Sequence, residues 1–154
     1  MGRVKEWIFS LIGQKVIGAI ALDLYAGIGS LGIEALSRGA SWTLFVERDR
    51  EAVNAIKLNL ARLGLAGEVW QSDVVQALEK IRMEGRRYDI IFADPPYGSL
   101  SIFGQKIFPG FPLKDDSLIV IEYSRHDIWP LKEVIPWREK RFGETLVSIL
   151  RKAS

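Results

Sequence analysis

Residues 20–32 read IALDLYAGIGSLG, an apolar run that carries one carboxylate, Asp23, and then breaks into glycines. Gly27, Gly29 and Gly32 match G-x-G-x-x-G, a turn in which backbone amides and a helix N-terminus can approach a ligand closely. Ile20 to Leu24 predicts a buried strand, and Leu31 to Arg38, closed by Gly39, a short helix. Strand, glycine turn and helix in that order form the first unit of a doubly wound sheet. Glycine triplets also occur as tight geometry with no ligand, so the neighbouring segments must supply the test.

Working outward, Val4, Trp7, Ile8, Leu11 and Ile12 recur at the spacing of an amphipathic lead-in helix that Gly13 ends. Downstream, Thr43 to Val46 predicts a second strand. Val53, Ile56, Leu60 and Leu63 mark a helix from about Arg50 to Gly64, with Arg50, Glu51, Lys57 and Arg62 on its wet side. Val69 to Gln71 is a short third strand, Val74 to Arg82 a helix, and Tyr88 to Ala93 a strand buried on both faces. From Gly98 to Asp116 the periodicity fails, and Gly104, Pro109, Gly110 and Pro112 predict a mobile or irregular segment at the mouth of a site. Leu118 to Glu122 reads as a fifth strand, and Val134 to Trp137 with Thr145 to Leu150 as a closing antiparallel pair around Gly143. The alternation predicts an α/β, Rossmann-like sheet of seven mostly parallel strands in one domain, residues 1–154, with ligands beyond the carboxyl ends of the strands.

The bulk properties narrow the function classes. With 154 residues, 48% hydrophobic and 26% charged, the chain fits one ordinary globular domain. A net charge of +2 neither requires nor excludes a nucleic-acid partner, since a small total can hide a basic face; the run Arg82, Arg86, Arg87 reads as a solvated turn. The absence of cysteine removes disulfides, thiolate metal sites and cysteine nucleophiles, and predicts a cytoplasmic protein. Val16 to Leu22 is too short to span a bilayer, no secretory signal precedes it, and Glu6 stands where a myristoylation signal needs Ser or Thr. His126 is the only histidine, which leaves no histidine triad or metal cluster, and no metal site is predicted. The five tryptophans, Trp7, Trp42, Trp70, Trp129 and Trp137, read as core and edge packing.

Acidic residues at the strand ends build on the glycine turn. Glu47 ends the second strand, where a carboxylate can accept both ribose hydroxyls of an adenosine. Asp73 ends the third, placed to receive an adenine amino group with Val74 as an apolar contact; it also suits the N-cap of the following helix. Asp23 is placed to orient the glycine turn by accepting backbone amides. NAD and S-adenosylmethionine both fit such a site, and the fourth strand separates them.

That strand runs into DIIFADPPYGSL, residues 89–100. Prolines delete amide donors inside a sheet, so Pro95 and Pro96 must lie just past its end, where they stiffen the chain. An exocyclic amine on a nucleobase delocalises its lone pair into the ring and is a poor nucleophile until hydrogen bonds reorient it. Asp94 and the carbonyl of Pro95 can accept its two N–H bonds, Pro96 keeps that carbonyl direction fixed, and Tyr97 can stack on the base. A sulfonium methyl needs no metal and no further activation, so positioning supplies much of the catalysis. The alternative reading of DPPY is a structural turn with Asp94 capping a helix.

RVKEWIFSLIG, LDLYAGIGSLGIEALSRGA, FVERDREAVNAIKLNL, DPPY, LIVIEYSR and RFGETLVSIL, in that order over most of the chain, resemble the RsmD-type family of bacterial ribosomal RNA methyltransferases. The resemblance implies a class I S-adenosylmethionine-dependent methyltransferase acting on guanine N2 of 16S ribosomal RNA, naked or in an assembling 30S particle. It implies cofactor contacts from Asp23, Tyr25, Ala26, Gly27, Gly29, Glu47, Arg48, Asp73 and Val74, and catalysis at Asp94, Pro95, Pro96 and Tyr97. DPPY is shared with adenine-N6 methyltransferases of DNA and RNA, which stand as the alternative, together with a cofactor-binding protein that does not turn over. The family's usual basic, glycine-rich segment ahead of the lead-in helix has no counterpart before Arg3, which leaves Arg3, Arg125, Lys140 and Arg141 as candidate RNA contacts by position. Glu122 falls near the same pocket, with structural and site roles both open.

Overall fold

A computed structural model describes residues 2–131 and 135–152. Among these, seven strands form one sheet: β1 (Ile20–Leu24), β2 (Trp42–Glu47), β3 (Glu68–Gln71), β4 (Tyr88–Ala93), β5 (Leu113–Ser124), β6 (Arg138–Phe142) and β7 (Thr145–Arg151), in spatial order β3-β2-β1-β4-β5-β7-β6. β1 to β5 are parallel, and β7 runs antiparallel to both β5 and β6. The helices are α1 (Gly2–Ile12), α2 (Ser30–Ser37), α3 (Arg50–Leu63) and α4 (Val74–Met83).

β4 shows why a continuous apolar run becomes a central strand. Its side chains alternate between two layers: Ile90 and Phe92 pack with α1, α2 and α3, while Ile91 and Ala93 pack with α4. Helices cover both faces, so Ile90, Ile91 and Phe92 are all fully buried. The starts of α3 and α4 are set by side-chain caps. Asp49 accepts from the Ala52 amide to begin α3, Asp73 accepts from the Gln76 amide to begin α4, and Gly64, with φ +64°, ends α3 in a left-handed turn.

The structure departs from the sequence expectations at several points. The sixth strand is Arg138–Phe142, not Val134 to Trp137; Val134 lies outside the described residues, and Trp137 only begins the pairing, its amide donating to the Ile149 carbonyl at 2.8 Å. An edge strand need bury one face only, and its Arg138, Lys140 and Arg141 discourage edge-to-edge pairing, so the run never looked apolar. Between Gly98 and Asp116 the chain is irregular, as the broken periodicity predicts, but it is built of short turns. Leu100–Ile102, Phe103–Ile107 and Phe108–Gly110 form three successive helical turns held by an aromatic cluster, with Phe103–Phe111 at 5.7 Å and Phe108–Phe111 at 5.1 Å. Gly104 there permits close packing, since a Cβ would lie 2.5 Å from Pro130. β5 also starts earlier than its apolar stretch, at Leu113, because an irregular register opposite Tyr88 and Ile90 absorbs the polar residues 114–116. Leu63, taken as part of the apolar face of α3, is 57% exposed at its last turn.

Candidate functional site

The carboxyl ends of β1 and β4 lie side by side, with Leu24 paired to Ala93, so the glycine turn and the diproline corner leave the same edge of the sheet. β1 is followed by Tyr25, a non-glycine residue at φ +56°, a left-handed conformation that costs on the order of 1–2 kcal/mol. The bend sends the Tyr25 ring toward Phe103, 6.3 Å away, and gives the turn its direction. Burial pushes the Tyr25 hydroxyl up to about 12, so it stays a neutral phenol. Gly27 and Gly29 follow at φ +60° and +82°, closed by a 2.8 Å bond from the Gly29 amide to the Ala26 carbonyl.

Two carboxylates hold this turn. Glu47 accepts from the Gly27 amide with one oxygen and from the Asp49 amide with the other, each at 2.8 Å. Each oxygen keeps a second lone pair, so tying down the turn leaves Glu47 able to accept from a ligand. Asp23, almost fully buried, accepts from the Gly32 amide at 3.0 Å, as expected for a residue that orients the turn. Burial raises its pKa well above the ordinary range, against the Gly32 amide, and the charges of Glu122, Asp94 and Glu47 add to the rise.

A cavity of about 180 Å³ opens beside the turn, lined by Tyr25, Val46, Glu47, Arg48, Ser72, Asp73, Val74 and Pro96. Five residues assigned to the cofactor, Tyr25, Glu47, Arg48, Asp73 and Val74, thus share one wall with a residue assigned to the chemistry. Asp23, Ala26, Gly27 and Gly29 do not line it; they form the turn behind it. Asp73 caps α4 and also lines the cavity, so serving as the cap does not remove it from the wall. An adenosine moiety fits this donor and acceptor set: a paired carboxylate at the end of β2, a carboxylate at the end of β3 and an apolar Val46–Val74 floor.

Past β4, Asp94 is exposed, Pro95 buried, and Pro96 and Tyr97 exposed, with Tyr97 at 75%. Both the amide and the hydroxyl of Ser99 donate to the Pro96 carbonyl, which locks the corner. No described residue donates to the Pro95 carbonyl. Surrounding protein raises the Asp94 pKa by desolvation.

Sequence reasoning left Glu122 undecided. It lies inside β5 and does not end it, at 8% exposure. Burial first, and then the Asp94 charge, push it from 4.5 up to about 7. The folded state therefore holds this proton longer than the unfolded chain does, and stability falls as pH rises from about 4.5 to about 7. Glu122→Gln should flatten that part of a melting-temperature profile and stabilise the protein above it, by on the order of 3 kcal/mol at most. Asp23 and Asp94, which face the same region, titrate in the same sense and keep part of the slope. A profile unchanged by the substitution would contradict the assigned burial cost.

Residues set aside by sequence lie elsewhere. His126 bonds Glu144 at 2.7 Å on the surface. Arg82 pairs with Glu79, and Arg86 with Glu84 and Glu68. None of the five tryptophans is fully buried, and Trp70 and Trp137 instead stack against cations, Lys80 at 4.3 Å and Arg138 at 4.4 Å. Among the described residues no acidic or histidine cluster could hold a metal, and no helix is long and apolar enough to cross a membrane.

The family described as Conserved hypothetical protein 95 matches residues 1–151. A Bacillus subtilis protein named "Putative rRNA methyltransferase YlbH" is 37% identical over 156 residues, covering 97% of this chain and 85% of that one. The Escherichia coli K12 "Ribosomal RNA small subunit methyltransferase D" is 33% identical over 124 residues, covering 78% of this chain and 61% of its own length. The solved structure titled "Putative methyltransferase yhhF from Escherichia coli" superposes with a TM-score of 0.83 at 30% identity, over 100% of this chain and 87% of that one.

Proposed function

Since the chain belongs to the Conserved hypothetical protein 95 family of RsmD-type methyltransferases, with their Rossmann-like fold, we propose that it methylates guanine N2 in small-subunit ribosomal RNA from S-adenosylmethionine. The observation that carries the reading is Pro96 lining the same cavity as Glu47 and Asp73, so that nucleotide binding and amine chemistry open onto one crevice. Two of the relatives are named for ribosomal RNA methylation, which supports RNA as the substrate class.

In this reading Glu47 holds the ribose hydroxyls, Asp73 the adenine amine, and Tyr25, Val46 and Val74 the ring, with Asp23 and Glu47 keeping the glycine turn in place. When bound, the cofactor supplies an electrophilic methyl on sulfonium. Asp94 and the Pro95 carbonyl accept the two N–H bonds of the base amine and turn its lone pair out of conjugation. The Ser99 bonds keep the corner from relaxing, and Asp94 offsets the positive charge that develops on nitrogen. If the guanine lies in a paired helix, it must be turned out of its stack or modified before that helix closes.

The test is to incubate the protein with S-adenosylmethionine and unmodified 16S ribosomal RNA or 30S particles, digest, and identify the nucleoside. N2-methylguanosine is the expected product. N6-methyladenosine would favour the alternative that shares DPPY. S-adenosylmethionine binding by calorimetry, with no methylated product from any substrate, would leave a binding protein.

Two variants probe the halves separately. Glu47→Ala should weaken cofactor binding by about 10- to 100-fold, because it removes the ligand acceptor and frees the Gly27 amide. A calorimetric dissociation constant within twofold of wild type would show that Glu47 makes no ligand contact. Tyr97→Ala should raise the KM for RNA by roughly 10-fold, the scale of one lost stacking contact, while cofactor affinity holds. Tyr97→Phe should restore the KM, since the ring and not the hydroxyl does the stacking.

A further inference from the structure

One side chain at this crevice has no part in the reading so far. Ala93 pairs with Ile121, so the residues that follow stand level on adjacent strands, Asp94 just past the end of β4 and Glu122 two residues inside the end of β5, near enough for the Asp94 charge to act on Glu122. Glu122 leaves its strand from the same face as Val120, the side of α1 and α2 to which Asp23 also points. No described residue donates a hydrogen bond to it. Among the described residues no sealed side-chain polar atom lacks a partner, so the Glu122 oxygens, which accept from no described donor, are not sealed in the core. A carboxylate more than nine-tenths buried, without a donor and next to a second carboxylate, is costly for structure alone.

Its place in the sheet indicates what it meets. The nucleotide cavity opens beyond the carboxyl ends of β1, β2 and β3 with Pro96 in its lining, and Glu122 lies on β5, on the other side of β4 in the sheet. A planar base that offers its amine to Asp94 from this side extends its neighbouring ring position over β5. In guanine one of the two ring nitrogens that flank this amine is N1–H, a donor coplanar with it. In adenine the neighbour of the amine is N1, and in cytosine it is N3, and both are acceptors. An ionised carboxylate is acceptor-only, so it bonds the first and repels the other two.

We propose that Glu122 accepts the N1–H of the guanine whose N2 amine Asp94 and Pro95 hold, and so makes this site select guanine among the amine-bearing bases. This rests on the amine-methyltransferase reading above and adds to it the residue that chooses the base.

The experiment first maps the guanine methylated in unmodified 16S ribosomal RNA, then replaces it with 2-aminopurine riboside by ligation of synthetic RNA. That analogue keeps the amine at C2 and turns N1 into an acceptor. Assays run at about pH 8, where Glu122 is ionised. Wild type should prefer guanine over 2-aminopurine by about 100-fold in kcat/KM. Glu122→Gln, whose amide can either accept from N1–H or donate to N1, should shrink that preference to within about 10-fold by gaining on 2-aminopurine, a gain that a merely structural residue would not give. Its affinity for S-adenosylhomocysteine should stay within about twofold of wild type. A wild-type preference near unity, or an unchanged preference in Glu122→Gln, overturns the assignment of Glu122 while leaving the methyltransferase reading standing. Failure of wild type to methylate any guanine N2 overturns that reading, and this inference with it.

Discussion

Asp94→Ala should lower methyl transfer by about 1,000-fold or more while the dissociation constant for S-adenosylmethionine changes less than about threefold. The asymmetry follows from position. Asp94 stands past the end of β4 and makes none of the hydrogen bonds that hold the glycine turn, which rest on Asp23 and Glu47. It is absent from the lining of the nucleotide cavity, where only Pro96 represents its motif. Removing it leaves that wall intact and takes away the one charged acceptor for the base amine. Asp94→Asn should fall between the two, because an amide oxygen still accepts one N–H but offers no charge against the nitrogen cation. The substitution should also lower the Glu122 pKa, since the Asp94 charge is one cause of its rise. Calorimetry on the cofactor beside single-turnover methylation of RNA makes the check. Losses of equal size in the two measurements would mean that Asp94 belongs to cofactor binding, and the division of the site would be wrong.

How much of this was legible beforehand depended on whether local chemistry or distant packing set the structure. β1 and β4 match their predicted limits, because strands covered on both faces are mostly apolar and both are followed by residues that do not continue them, Asp23 and Asp89 being the polar exceptions. Whereas the Asp49 cap came only with the structure, two helix ends were legible for a local reason, since Asp73 and Gly64 act within their own turns. β6 was not, because an edge strand is held by backbone pairing to β7 and its polar side chains carry no periodicity. The helical turns from Leu100 to Gly110 were hidden behind glycine and proline, yet Phe103, Phe108 and Phe111 hold them through contacts that no spacing rule describes. In the site, Glu47, Asp73 and the DPPY corner could be read from strand ends. The double duty of Glu47, and the buried setting of Glu122 beside Asp94, depend on register between strands that are remote in sequence.

The third glycine of the turn is where packing should dominate. Gly32→Ala is expected to destabilise the protein by about 2–4 kcal/mol in urea unfolding, although alanine is the better helix former by about 1 kcal/mol. Gly32 sits in the first turns of α2, where the helix rests on β1 and β2. A Cβ there would lie 2.4 Å from Phe45 Cε2 and 2.9 Å from both Asp23 Oδ2 and Thr43 Cγ2. Phe45 and Thr43 are completely buried and Asp23 nearly so, which leaves none of them room to retreat. To relieve the contact α2 must lift, and lifting it breaks the 3.0 Å bond from the Gly32 amide, the one contact that lowers the Asp23 pKa against burial. Gly27→Ala makes the contrast. Its Cβ would meet nothing within 4 Å, so its cost is that of the left-handed backbone at φ +60°, about 1–2 kcal/mol, and its effect should appear in cofactor affinity more than in stability. If Gly32→Ala unfolds within about 0.5 kcal/mol of wild type, α2 has slack against the sheet, and the close approach that aims the turn at the crevice is not what holds the site together.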